Sequence, residues 1–184
     1  MRAPSTANLL DMWEKGLHQG SISRALTLLE TFCPEENRQA LAQLSIGERD
    51  THLLRVRQLL FGPRLVSMVT CPRCSERLEW ESNVTDLFVR RADVPESDPK
   101  FLPESKTFSP ANRTGDVLDF TSGDCRVMFR LPNSDDLSSL SGNRDAAAQR
   151  SQLLKRCLIE ASQENGEILS FGQLPETVLQ GMVQ

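Results

Sequence analysis

The chain has 184 residues, 39% hydrophobic and 25% charged, with a formal net charge of -4 and a pI near 5.3. That length holds one ordinary domain or two small ones with a packed core. The acidic balance argues against a nucleic-acid partner, which needs clustered Lys and Arg; the nearest cluster, Arg90-Arg91, is soon followed by Asp93, Glu96 and Asp98.

No apolar run approaches the length of a membrane span. The opening "MRAPSTANLLDMWEKGL" lacks the apolar stretch of a signal peptide. A cytosolic protein is expected, with no membrane partner. Five scattered cysteines, an odd number in a reducing compartment, favour metal or plain burial over a disulfide framework.

The first third reads as helical. Ser5 or Thr6 caps a short helix carrying Leu9, Leu10, Trp13 and Leu17, punctuated by Gly16 and Gly20. Ser21 caps a second helix, whose Ile22, Leu26, Leu29 and Phe32 share one face. Cys33 follows on that side and Pro34 stops the helix. A short helix around 36–44 comes next. "SIGERD" at 45–50 is a capping box, with Ser45 bonding forward and Glu48 bonding back. It opens a helix with Ile46, Leu53, Val56 and Leu60 on one face, ended by Gly62-Pro63.

The period then changes. "RLVSMVTC" and "RLEWESNV" alternate and are β-branched, with CPRC between them, so a β-hairpin with a cysteine turn at its tip is expected. "DLFVRR" extends the second strand or forms a helical turn. Residues 92–114 hold four prolines among many Ser, Asp and Glu and read as an exposed loop. Within it Phe101, Leu102 and Phe108 are candidates to dock on a partner, or incidental apolar residues of a tether. "DVLDF" and "CRVMFRLP" flank the turn "TSGD", which predicts a second hairpin. Asn133 or Ser134 caps "DDLSSL", its two Asp residues near the positive helix end. Asn143 caps a longer helix to about Ser162, with Leu153, Leu154, Cys157, Leu158 and Ala161 along its stripe. A last helix spans 175–183.

The motif with chemistry is CPRC. Two cysteines on a tight turn aim both sulfurs at one point, and structural zinc takes four such ligands in a tetrahedron. Cys71 and Cys74 are therefore candidate ligands. Cys125, which begins a strand of the β region, is the best-placed third candidate. Cys33 and Cys157 lie on apolar helix faces, where a cysteine serves as a small hydrophobe. His18 and His52 read as surface or helix-end residues. There is no second CxxC. A thiol-redox site would instead place the first cysteine at a helix N-terminus and depress its pKa.

No enzyme is expected. The sequence shows no Gly-rich phosphate loop and no nucleophile elbow. The acidic pairs Asp135-Asp136 and Glu35-Glu36 stand at helix starts, where the dipole explains them.

The order of features resembles a known family. Helices lead to "LSIGERD", then "FGPRLVSMVTCPRCSERLEW", and later "CRVMFRLPNSDDLSSL", "LLKRCLIEA" and "LPETVLQGM". This resembles small proteins from the gene clusters of contractile phage tails and phage-tail-like injection systems, related to baseplate proteins that help assemble the hub. The most specific parts are FGPRL…CPxC and RLPxSxDL. The resemblance implies a non-enzymatic baseplate-associated or assembly protein acting through contacts with hub, spike or wedge components, in the cytoplasm or incorporated in a phage-like particle. It also implies that longer members carry a second CPxC beyond the LPETVL-like helix. This sequence reaches Gln184 before any such element, which makes CPRC half of a zinc ribbon whose partner is lost, removed or absent.

The expected fold is α+β: a helical bundle over 1–62, a small antiparallel, zinc-ribbon-like region over 63–132, and C-terminal helices over 133–184. Leu78 and Trp80 should pack behind the knuckle. A zinc-ribbon adaptor in transcription or another nucleic-acid process is the competing reading; the balance of Arg64, Arg73 and Arg77 against Glu76, Glu79 and Glu81 weighs against it.

Overall fold

A computed structural model describes residue 1 and residues 4–88, 117–140 and 145–183. The expected loop at 92–114, with Phe101, Leu102 and Phe108, lies outside the described residues, as does Asn143.

Four helices build the first unit: α1 (Thr6–Gly16), α2 (Ser21–Phe32), α3 (Arg38–Ala42) and α4 (Ile46–Phe61). Ser5 caps α1, its Oγ accepting the Asn8 N–H at 3.3 Å. The link to α2 is held by Arg24, which donates to the carbonyls of Gly16 at 3.1 Å and Gln19 at 2.9 Å. Gly20 occupies the cap position of α2 and Ser21 is its first helical residue, so the expected Ser21 cap bond does not form. Leu26, Leu29 and Phe32 of α2 meet Leu41, Ala42, Leu44 and Val56 in one core. Burying each large side chain there contributes roughly 1.5–3 kcal/mol. Leu9 and Met12 pack on this core from α1, while Leu10, Trp13 and Leu17 stay exposed. The capping box at α4 forms as read: Ser45 Oγ accepts the Glu48 N–H, and Glu48 accepts the Ser45 N–H.

Strands β1 (Arg64–Thr70) and β2 (Arg77–Asn83) pair antiparallel as a two-stranded sheet. A 3-10 turn, Val84–Leu87, follows. Strands β3 (Val117–Ser122), β4 (Cys125–Arg130) and β5 (Leu158–Gln163) form a separate antiparallel sheet in the order β3-β4-β5. The β region expected as one unit over 63–132 thus holds strands of two sheets. Around the second sheet lie α5 (Ser134–Ser139), α6 (Ala146–Cys157) and α7 (Glu176–Gly181). Cys125, Val127, Ala161, Leu169, Leu174, Val178 and Met182 make the second core, and Phe120 and Phe129 pack against it edge to face with centroids 5.9 Å apart.

Two differences from the sequence expectation meet at α6. Asp145 caps it, accepting from the Ala147 N–H at 3.0 Å. The helix ends at Cys157 instead of running to Ser162, and the chain continues directly as β5. The edge of β4 offers backbone partners to residues 158–163, and Ala161 fills the second core. The turn that reverses β5 is Asn165-Gly166, with Gly166 at φ +82, a region glycine enters without strain. Asn-Gly is a strong hairpin signal and was the local clue to this strand.

The segment RLPNSDDL joins the two units. The Ile46 N–H donates to the Pro132 carbonyl at 3.0 Å, and Ser45 bridges Asn133. Asn133 Nδ2 donates to Gln43 at 3.0 Å, and Gln43 Nε2 donates to Asp135 at 2.6 Å. Beneath this seam Asp136 is fully buried. Its carboxylate accepts two bonds from Arg130, at 2.6 and 2.9 Å, one from Arg156 at 2.9 Å, and one from the Asn133 N–H at 3.0 Å. Burial opposes its ionisation, but the hydrogen bonds from Arg130, Asn133 and Arg156 outweigh that and hold its pKa down at about 2.

Candidate functional site: the cysteine knuckle and its hairpin

The hairpin is fixed at its base and free at its tip. Arg57 of α4 donates to the carbonyls of Gly62 and Arg64, the two residues flanking the turn into β1. The Val84 N–H donates to the Pro63 carbonyl at 2.8 Å, and the Val84 side chain is fully buried. Arg55 lies over the Phe88 ring at 5.9 Å. From this anchor the strands run out of both cores.

Register assigns the two faces. Residues directly opposite share a face and successive residues alternate. Leu65, Ser67 and Val69 oppose Ser82, Trp80 and Leu78 on one face. Trp80 is 60% exposed, Val69 57% and Leu78 52%. On the other face Met68 is exposed beside Arg77, which donates to its sulfur at 3.1 Å, and Arg64 pairs with Glu81 at 2.6 Å. Phe61, at the end of α4, is 74% exposed. The Trp80 face is thus apolar and uncovered, while the opposite face is mixed. Leu78 and Trp80 do not pack behind the knuckle as expected, because no second layer among the described residues covers this sheet: β4, with Cys125, pairs with β5 in the other sheet.

At the tip, CPRC folds as a knuckle. The Cys71 N–H donates to the Glu76 carbonyl at 2.8 Å, and the Ser75 N–H donates to the Cys71 carbonyl at 2.9 Å. Ser75 adopts φ +60, a left-handed conformation uncommon for a residue other than glycine. The nearby backbone N–H groups of Cys74 and Arg73 and the Cys74 thiol lower the pKa of Cys71. The Cys74 thiol also lies 3.9 Å from the Glu76 carboxylate. A lowered Cys71 pKa is what a redox site calls for, but Cys71 follows a strand, away from any helix N-terminus. The same donors suit a thiolate that ligates a metal, since outer hydrogen bonds orient the ligand and offset its charge.

The remaining candidate ligands lie elsewhere. Cys125 is buried in the second core, and Cys157 is buried at the end of α6, its pKa raised first by that burial. Cys33 packs on the first core, where burial likewise raises its pKa. His52 is half-buried on α4 and its pKa is lowered by burial; His18 is exposed. Among the described residues no group of three metal-binding side chains comes together.

A helical unit and a small β unit clamped by one buried carboxylate, with a hairpin whose apolar face is exposed, define a mixed α/β protein. Residues 17–183 match the T4 bacteriophage base plate protein family, and the chain belongs to it. No curated protein and no solved structure matches the chain. Membership makes this a baseplate-associated phage protein, one that associates with other baseplate or tail proteins. No helix among the described residues is long and apolar enough to cross a membrane.

Proposed function

We propose that the protein serves baseplate assembly through protein–protein contacts and without catalysis, in a contractile phage tail or a phage-tail-like injection system, and that the β1–β2 hairpin makes the contact. The partners are hub, spike or wedge components. The observation that carries this reading is the uncovered face of Val69, Leu78 and Trp80, held rigidly at its base by Arg57 and Val84. Exposed contiguous apolar surface on a folded protein marks an interaction site, and a buried Trp anchor carries much of the energy where it docks.

The test is affinity capture of the tagged protein from its host, followed by mass spectrometry. Wild type brings down hub, spike or wedge-like tail proteins, and the capture survives high salt because apolar contacts are not screened. Trp80→Ser with Leu78→Ser abolishes it. Recovery of RNA polymerase or nucleic acid with no tail protein would overturn the reading in favour of a nucleic-acid adaptor.

A further inference from the structure

We infer that the outer edge of β1 receives an extended strand of the baseplate partner, which pairs through backbone hydrogen bonds with Val66, Met68 and Thr70 and carries uncharged, apolar or β-branched side chains on both faces. The inference rests on the assembly reading and names how the partner is held.

The first support is the direction of the backbone groups. In an antiparallel pair, residues that bond across the pair alternate with residues whose N–H and C=O groups turn away from it. Two bonds fix the phase here. At the base the Val84 N–H donates to the Pro63 carbonyl, and at the tip the Cys71 N–H donates to the Glu76 carbonyl, both at 2.8 Å. The register runs between them without a shift. Leu65, Ser67 and Val69 therefore bond to β2, while Val66, Met68 and Thr70 turn their backbone groups outward. No strand among the described residues pairs with that edge.

The second support is that β1 lacks the devices that close an exposed edge, which are charged side chains, proline, a bulge or a covering element. Residues 65–70, LVSMVT, hold no charge, no Pro and no Gly. Val66, Met68, Val69 and Thr70 are exposed. The edge of β2 differs. Its outward groups belong to Arg77, Glu79 and Glu81, whose charges oppose an incoming strand, and the Asn83 N–H is taken by the Asp86 carboxylate at 3.0 Å. At the foot of β1 the Arg64 carbonyl is taken by Arg57. The open stretch thus runs from Val66 to Thr70, between the clamp and the knuckle.

The third support concerns what the strand carries. An added strand gains affinity from main-chain bonds and continues both faces of the sheet. On one face its side chains fall beside Leu65, Ser67 and Val69, on the side of Trp80; on the other they fall beside Val66, Met68 and Thr70. β1 offers no charge over this stretch, so uncharged side chains fit it. Two strands alone are marginal in water, and a third with an apolar face makes a stable sheet.

The test places Val66→Pro, in the full chain, in the affinity capture. Proline removes one outward N–H and is tolerated at a sheet edge. The circular dichroism and unfolding midpoint should stay as in the wild type, while capture of tail proteins is lost. Val66→Thr keeps the N–H and should capture as the wild type does. Glu79→Pro, the same change on the opposite edge, should also capture. Hydrogen exchange resolved to single residues gives a reading without a variant: the amides of Val66, Met68 and Thr70 should exchange fast in the free chain and become protected in the captured complex. If Val66→Pro disturbs the hairpin, the exchange measurement decides. Unchanged capture by a folded Val66→Pro, loss with Val66→Thr or Glu79→Pro, or protection of the three amides already in the free chain would each overturn strand addition and leave the assembly reading standing. A wild type that captures no tail protein would overturn both.

Discussion

Residues 64–83 and 130–137 each carry an arginine–carboxylate pair on or beside a β-strand, and they use it in opposite ways. Arg64 and Glu81 meet at 2.6 Å on an open sheet, and both side chains are more than half exposed. Such pairs contribute little, because solvent screens them. Arg130 and Asp136 also meet at 2.6 Å, but the Asp136 side chain is fully buried and Arg156 closes over it. Similar distances therefore have different consequences, because solvent screens one pair and is excluded from the other. The second stretch holds the molecule together. The first leaves its apolar face exposed.

The sharpest way to break this contrast is Asp136→Ala. It strands two guanidinium groups and the Asn133 N–H at the seam, so a loss of about 3–5 kcal/mol is expected in urea unfolding. A loss below about 1 kcal/mol would show that the seam does not hold the units. A gentler probe is acid. The folded pKa of Asp136 is about 2, below the ordinary value of 3.8. Its contribution is present in full above the ordinary value and is lost as pH falls toward about 2. Unfolding free energies at pH 5 and pH 2.5 should differ through this group by on the order of 2 kcal/mol, and Asp136→Asn should remove that part of the difference.

Next in size is Gly181→Ala. A Cβ there would stand 2.7 Å from the Phe120 ring, which is already packed edge to face on Phe129. A loss of about 1–3 kcal/mol from overpacking is expected, read as a lower thermal midpoint. Ser45→Ala removes the cap of α4 beside the seam and should cost about 1 kcal/mol. The smallest effect belongs to Trp80→Ser. Stability should move by less than about 0.5 kcal/mol, as for other exposed positions, while partner capture falls. A large destabilisation at Trp80 would mean that the hairpin belongs to the cores after all.

Much of the fold was legible from local pattern. The Ser45–Glu48 box, the Ser5 and Asn133 caps and both hairpins are decided within a few residues, by side chains that reach the nearest free N–H or by turns that suit the sequence. Strand β5 was not read, because Leu154, Cys157, Leu158 and Ala161 keep helical spacing through residues that pair with β4. Asp136 was read as a helix-start charge, which it is, since it completes a capping box with Asn133. Its larger part depends on Arg130, six residues away, and Arg156, twenty residues away. The CxxC turn was legible, but the exposure of Leu78 and Trp80 beside it was not.

By itself, then, the sequence determined most of the elements, the caps at Ser5, Ser45 and Asn133, and the two-cysteine turn, because those rest on contacts between residues close along the chain. Only the tertiary structure decided which strand β4 would accept as its second neighbour, that Asp136 would be sealed under two arginines, and that Trp80 would face outward. Each of these depends on what packs nearby from distant parts of the chain, and burial sets both the strength of a charge pair and the availability of an apolar face.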